Sequence, residues 1–326
     1  MRQPKIVVTD LDFADTTFER EMVEAAGLAF AAFQDRDADA IIRNAADADA
    51  IITSYGDFCP RVFEALGGRL RAVSRTGIGY DNVDVASATA HGVGVCVVPG
   101  YGTEVVSDHA IALALVVLRR INELDADMRA GRWGHEPRRP LGQAWGRTFG
   151  VVGMGEIGRA TARKAAGLGF HVVCASRSLT PGRRTPEGYE ALALDDLLAV
   201  SDVVSLHTAL VPQTRHLLGE ARLALMKPGA IVVNTSRGAV VDTVALARAL
   251  QEGRLWGAGI DVFEQEPLPA DHPLLRAPHT VLTPHAAYWS EESGRELRTR
   301  ATQAAIDAAL GRIPADCLNP EAMRAL

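Results

Sequence analysis

Cysteine is scarce in this 326-residue chain: Cys59, Cys96, Cys174 and Cys317 stand far apart, with no close-spaced pair. Thiols scattered in this way exclude a disulfide-built scaffold and the spacing of a structural zinc site, and they suit a reducing compartment. Aromatic residues make up only 6%. Positive charge is not in excess, because 34 Lys and Arg face 40 Asp and Glu for a net charge of -6. No basic face is therefore expected to hold a phosphate backbone, and nucleic acid is excluded as a main partner. Long hydrophobic runs are missing too. The most apolar stretch, residues 110–118, is too short to cross a bilayer and reads as a core helix. The N-terminal MRQPKIVVTDLD turns acidic within ten residues and lacks the apolar centre of a signal peptide. These absences predict a cytoplasmic protein that binds no membrane.

What is present is apolar material, 48% of the chain, in a length that suits two domains better than one. Short β-branched or alanine-rich runs alternate with helical stretches. Residues 5–10, 50–54, 71–74 and 94–98 read as strands, with helices over 16–26, 60–66 and 85–91. A second series starts at Thr148, with strands over 148–152, 171–176, 202–207, 230–236 and 256–263 and helices over 156–168, 194–199 and 243–252. Alternation of this kind predicts α/β architecture with doubly wound parallel sheets. One long helix is predicted over 104–129 between the two series, and another over 290–310 after the second.

Gly153, Gly155 and Gly158 form GxGxxG directly after the strand TFGVV and directly before a helix. The first glycine permits the tight turn, the second lets backbone approach a pyrophosphate, and the third lets helix and strand pack closely. The helix N-terminus offers unpaired N–H groups to the anion. Met154, Glu156 and Ile157 fill the same turn. The next strand ends in Ser176-Arg177, where an acid would bind the adenosine ribose of NAD. Without a carboxylate, Ser176 leaves room and Arg177 supplies a forked cation for a 2′-phosphate, which favours NADP(H) over NAD(H).

Three strand ends of the second series carry polar groups: Arg237 in NTSRG, Glu266 in FEQEP and His285 in TPH. In a doubly wound sheet these C-termini open into one crevice. The set matches interconversion of a 2-keto acid and its 2-hydroxy acid. His285 can move the proton of the hydroxyl, Glu266 can orient and stabilise the imidazolium, and Arg237 can clamp the carboxylate and polarise the carbonyl. Glu264 in the same EQEP stretch is a competing acid. His272 and His279 fit no metal-site spacing with His285, and Ser236 has no nucleophile-elbow context, so neither a metal site nor hydrolase chemistry is predicted. His207 reads either as a packed side chain or as a neighbour of the cofactor.

The motifs RTGIGYDNVDV (75–85), VVGMGEIGR (151–159), LMKPGAIVVNTSRGAVVDTVAL (225–246), GAGIDVFEQEP (257–267) and TPHAA (283–287) resemble the D-isomer-specific 2-hydroxy acid dehydrogenase family, nearly end to end. The resemblance implies the trio's roles and a Rossmann-type dinucleotide domain over 101–288. It implies a flavodoxin-like substrate domain from 1–100 with 289–326, and a homodimer built on the helix near 104–122. Asp261 would meet the nicotinamide carboxamide, and Thr208, Thr214, Thr235, Ser236 and Ala287 would line the cofactor groove. Backbone at Ile78 and Gly79 would meet the substrate carboxylate, while Tyr55 and Tyr288 either shape the side-chain pocket or pack a seam. Within the family, TPHAAYWSEES and GRIP are most similar to the C-terminal-binding proteins, although those usually have Asp where this chain has Ser176. That similarity leaves an alternative, a nucleotide-sensing corepressor-like protein with vestigial activity. Turnover on small keto acids discriminates the two.

Overall fold

A computed structural model describes residues 2–13, 15–138 and 140–323. The chain packs into two compact units, residues 1–101 with 290–326 and residues 102–289.

The first unit opens with β1 (Lys5–Asp10), α1 (Thr17–Ala25), β2 (Ala29–Ala32), α2 (Ala38–Asn44), β3 (Ala50–Thr53), α3 (Pro60–Leu66), β4 (Ala72–Arg75), α4 (Val85–Ala90) and β5 (Gly94–Cys96). All pairings are parallel, in the order β2-β1-β3-β4-β5. A parallel sheet is covered on both faces, which is why its strands are continuous apolar runs with no polar alternation. Sequence periodicity does not reveal β2 (AFAA) or α2, which are short and close to the edge of the sheet.

The second unit runs α5 (Thr103–Arg119), α6 (Ile121–Arg129), β6 (Thr148–Val152), α7 (Glu156–Gly167), β7 (His171–Ala175), β8 (Glu190–Ala191), α8 (Leu194–Val200), β9 (Val203–Leu206), α9 (Glu220–Leu225), β10 (Ile231–Asn234), α10 (Thr243–Gln251), β11 (Gly257–Ile260) and β12 (Thr280–Leu282). Its seven strands are parallel in the order β12-β11-β10-β9-β6-β7-β8. The order reverses between β6 and β9, and that switch point is where an open α/β sheet leaves a crevice beyond its strand ends. Two apolar layers cover the sheet, one including Leu206, Leu246 and Ile260, the other including Leu113, Phe149 and Val233.

The chain then returns to the first unit through α11 (Glu291–Ala309) and α12 (Pro320–Met323). Ser290 caps α11 in a reciprocal box with Ser293. Ala305, Ile306 and Ala309 of α11 join Ile6, Val8 and Ile52 in one core, and the Ser74 hydroxyl donates to the Ala301 carbonyl at 2.8 Å.

The predicted single helix over 104–129 is two helices. Arg120 adopts left-handed geometry (φ 52°), and the Leu118 carbonyl accepts from Gly142 N–H at 3.1 Å. The Arg120 guanidinium turns back to Glu123 (3.1 Å) and the Arg138 carbonyl (2.9 Å), and it lies 5.4 Å from the Trp256 ring centre. These contacts offset a conformation that costs an L-residue about 1–2 kcal/mol. Among the described residues no helix is long and apolar enough to cross a membrane.

Candidate active site

At the switch point β6 runs into Gly153, which has φ +98°. A Cβ there would lie 2.3 Å from the His207 carbonyl oxygen, so β6 and β9 approach too closely for any side chain. A Cβ on Gly158 would lie 1.9 Å from the Gly153 carbonyl oxygen, which seats α7 against the turn. At Gly155 a Cβ would meet nothing within 4 Å. The middle glycine thus faces open space over the start of α7, which has no side-chain cap. The first-turn N–H groups point into that space, as a pyrophosphate requires. Met154 is buried, Ile157 is half-buried and Glu156 is exposed. The residues present therefore fit a dinucleotide.

Around the cradle, His207 donates or accepts at Ser205 Oγ (2.8 Å), and burial pushes its pKa down to about 4. The ring is neutral near pH 7 and adds no charge for phosphate. The Thr214 hydroxyl closes the 209–214 turn, donating to the Ala209 carbonyl (2.7 Å) and accepting from Val211 N–H (2.8 Å). Thr208 is half-buried beside it. Ser176 lies 3.2 Å, Oγ to Oγ, from Ser178, and Arg177 is exposed.

The ends of β10, β11 and β12 lie on the other side of the switch. Asn234, fully buried at the end of β10, accepts from Ser236 N–H (3.0 Å) and Oγ (2.8 Å), and its amide donates to the Arg237 carbonyl (2.9 Å). This clamp fixes the turn that presents Arg237, whose guanidinium also donates to the Ser236 carbonyl (2.8 Å). The Thr235 hydroxyl is buried and has no partner among the described residues. A Cβ on Gly238 would lie 1.9 Å from the Phe263 carbonyl carbon, so the turn after Arg237 presses directly on the segment leading to Glu266.

Glu266 Oε1 accepts from Phe263 N–H (2.9 Å), and Oε2 lies 2.7 Å from His285 Nδ1. Burial works to raise the Glu266 carboxyl. The hydrogen bond and charge of His285, the Phe263 N–H and the charge of Arg237 outweigh it and hold the group below the usual carboxylate range. Glu264 is engaged elsewhere, on His216 Nε2 (3.0 Å) and on Thr243 N–H (3.1 Å) and hydroxyl (2.9 Å). The local geometry thus separates two acids that the sequence left in competition. His272 and His279 are also engaged apart from His285, the first on Thr243 (3.2 Å) and the second on Glu123 (2.8 Å).

His285 has left-handed geometry (φ 54°). Asp261, fully buried at the end of β11, holds it there. Its carbonyl accepts from His285 N–H (2.7 Å), and its carboxylate accepts from Thr283 Oγ1 (2.6 Å), Ala286 N–H (2.9 Å) and Ala287 N–H (3.0 Å). His109 of α5 reaches the same Thr283 hydroxyl at 3.0 Å. The Tyr288 ring stands edge-on to His285, with centroids 6.1 Å apart. Asn234, Thr283 and His109 carry no signal in residue spacing. Asn234 and Thr283 at least lie within the motifs, whereas His109 lies in a helix that reads only as core.

In the first unit the β1 and β3 ends meet at Asp10, whose buried carboxylate accepts from Thr53 Oγ1 (2.6 Å), Tyr55 N–H (2.8 Å) and Gly56 N–H (3.2 Å). The Tyr55 ring lies under Arg36 at 4.7 Å. After β4, Gly77 (φ +152°) folds over Arg75, where a Cβ would overlap the guanidinium. The Ile78 and Gly79 N–H groups that follow have no backbone acceptor among the described residues.

The family described as D-isomer specific 2-hydroxyacid dehydrogenase, NAD binding domain, matches residues 111–287. A glyoxylate reductase of Korarchaeum cryptofilum is 42% identical over 288 residues, 87% of this chain and 86% of that protein. The solved structure of a glyoxylate reductase from Paecilomyes thermophila superposes with TM-score 0.87 at 31% identity, covering 98% of this chain and all of that one. The D-lactate dehydrogenase of Aquifex aeolicus, solved with NAD and lactic acid, superposes with TM-score 0.86 at 26% identity over 96% of this chain and 99% of that one. The protein is a nicotinamide-dependent oxidoreductase of 2-keto and 2-hydroxy acids, and the chain belongs to the D-isomer-specific 2-hydroxyacid dehydrogenase family.

Proposed function

We propose that this enzyme reduces glyoxylate and similarly small 2-keto acids, with Arg237, Glu266 and His285 as its chemical groups and NADPH as its preferred reductant. The 2.7 Å pairing of His285 Nδ1 with Glu266 carries the assignment, because it fixes one ring nitrogen and directs the proton through the other. When bound, the nicotinamide supplies hydride to the carbonyl carbon. His285 Nε2 gives the proton to the carbonyl oxygen while Glu266 balances the imidazolium. Arg237 receives the substrate carboxylate through two parallel N–H donors and polarises the neighbouring carbonyl. Gly153, Gly155, Gly158 and the unpartnered Thr235 hydroxyl face the cofactor, and Asp261 serves by holding the 283–287 turn. Tyr288 walls the pocket beside His285, and the Ile78–Gly79 turn supplies N–H groups suited to a carboxylate. In this reading the unit of residues 102–289 is the dinucleotide-binding domain and the other unit the substrate domain.

Loss of reduced-nicotinamide absorbance, followed with NADPH and NADH in parallel against glyoxylate, hydroxypyruvate and pyruvate, tests the proposal. Turnover highest with glyoxylate supports it. Cofactor binding with no turnover on any of the three overturns it.

The preference for NADPH rests on Arg177, exposed just past β7 and without a carboxylate partner among the described residues. Arg177→Ala is expected to raise the Michaelis constant for NADPH roughly tenfold, the scale of one exposed charge-assisted hydrogen bond, and to leave that for NADH nearly unchanged. Equal effects on both would overturn the preference.

The chain acts in the cytoplasm on small acids, as its free, scattered cysteines suit a reducing compartment. It does so as a homodimer. Ile121, Met128, Trp133 and Trp145, exposed by 50%, 53%, 90% and 76%, gather in the segment after α5 and support that reading. Light scattering at micromolar concentration is expected to return twice the chain mass, and a chain-mass value would refute it.

A further inference from the structure

Outside the trio, two cysteines distant in sequence face each other in the first unit. Cys96 ends β5 and is fully buried, and Cys317, half-buried, pairs with it in an antiparallel bridge. Val97 N–H donates to the Asp316 carbonyl (3.3 Å), and Leu318 N–H donates to the Val95 carbonyl (2.8 Å). With those bonds on either side, Cys96 and Cys317 form the non-hydrogen-bonded kind of pair, in which Cα atoms approach to about 4.5 Å and side chains are closest. A separation of roughly 4.4–6.8 Å is what a disulfide spans.

The register is pinned. The buried Asn319 accepts from Val95 N–H (2.7 Å), and its amide donates to the Val93 carbonyl (2.9 Å) and Thr89 Oγ1 (2.8 Å). The segment carrying Cys317 therefore cannot slide along β5. Cys59 and Cys174 stand apart from this pair, the latter buried with its thiol on the Glu190 carbonyl (3.5 Å).

We propose that Cys96 and Cys317 form a peroxide-reactive dithiol that closes to a disulfide and staples the C-terminal segment to β5. The two thiols are not equivalent. The neighbouring Cys96 thiol, against the opposing effect of burial, draws Cys317 down to about 7, with help from the Asn319 and Val95 backbone. Cys96 is pushed up by the Cys317 thiol beside it and by burial. Cys317 is then the attacking thiolate and Cys96 the resolving thiol. The Cys317 thiolate attacks one oxygen of hydrogen peroxide, the O–O bond breaks, and the departing hydroxide takes a proton to become water. The Cys96 sulfur then displaces water from the Cys317 sulfenic acid as the S–S bond forms, its proton leaving with that water. In sum two thiols lose two electrons and two protons, and one peroxide becomes two waters.

The full chain treated with about one equivalent of hydrogen peroxide tests this. Under denaturation the titratable thiols should fall from four to two, and peptide mapping should join Cys96 to Cys317. The melting temperature should rise by roughly 5 °C or more, as a bridge closing so long a loop restrains the unfolded chain. Cys317→Ser should abolish the loss of thiols and the rise. Cys96→Ala should leave Cys317 trappable by dimedone as a sulfenic acid. Four surviving thiols, a bridge through Cys59 or Cys174, or a dimedone adduct on Cys317 in the unaltered chain would each overturn the proposal.

Discussion

Replacing His285 by alanine is expected to lower the turnover of keto-acid reduction on the order of 10³-fold, the usual worth of a positioned proton donor. The Michaelis constant for the keto acid should stay within about twofold, because the ring acts on charge that develops after binding. Reduction takes a proton from the ring, and oxidation of the hydroxy acid returns one to it. Glu266 keeps its charge near neutral pH because His285, Phe263 N–H and Arg237 together outweigh its burial. The sign for stability follows: with its carboxyl depressed in the folded state, Glu266 contributes stability above its ordinary range. That contribution is lost only as pH falls through the lowered value. Glu266→Gln keeps the hydrogen bond to Nδ1 and removes the charge. Turnover should then fall on the order of tenfold with the Michaelis constant little changed, because the imidazolium loses its counter-charge in the transition state. An unchanged rate in His285→Ala would remove it as the proton donor. An unchanged turnover in Glu266→Gln would leave Glu266 as a purely steric support.

The family and the two-sheet architecture were legible because a parallel sheet buried on both faces writes its strands as plain apolar runs. KIVVTD, TFGVV and IVVN are of this kind. The glycines were legible because tight turns and close approach leave few alternatives, as Gly153 and Gly158 show. What was hidden depends on contacts between distant residues. The break at Arg120 is made by Gly142, Trp256 and Arg138, all far along the chain, and local propensity favours continuing the helix. The sorting of Glu264 from Glu266 depends on His216 and Thr243, which no motif links to either acid. Asp10 looks like any acid after a strand until four donors from the β3 end converge on it. Short edge elements such as β2 are supported by their neighbours in the sheet, so four residues of sequence announce nothing.

Arg237→Ala is expected to lower kcat/KM for keto acids on the order of 10³-fold, with the loss divided between turnover and substrate affinity. The division follows from the two tasks of one guanidinium. Holding the carboxylate acts on the bound substrate, and polarising the carbonyl acts only as charge grows on its oxygen. The turn keeps support in the variant, since Asn234 clamps the Arg237 carbonyl and the Ser236 N–H, although the guanidinium's bond to the Ser236 carbonyl is lost. Gly238, pressed on Phe263, keeps the turn seated against the Glu266 segment in either variant. Arg237→Lys restores the charge without the planar fork, so kcat/KM should remain at least tenfold down, roughly the value of losing bidentate geometry. Affinity for NADPH, read by fluorescence titration, should be unaffected in both variants. A parallel loss of cofactor affinity would relocate Arg237 to the dinucleotide site. Full activity in the lysine variant would show that charge alone suffices there.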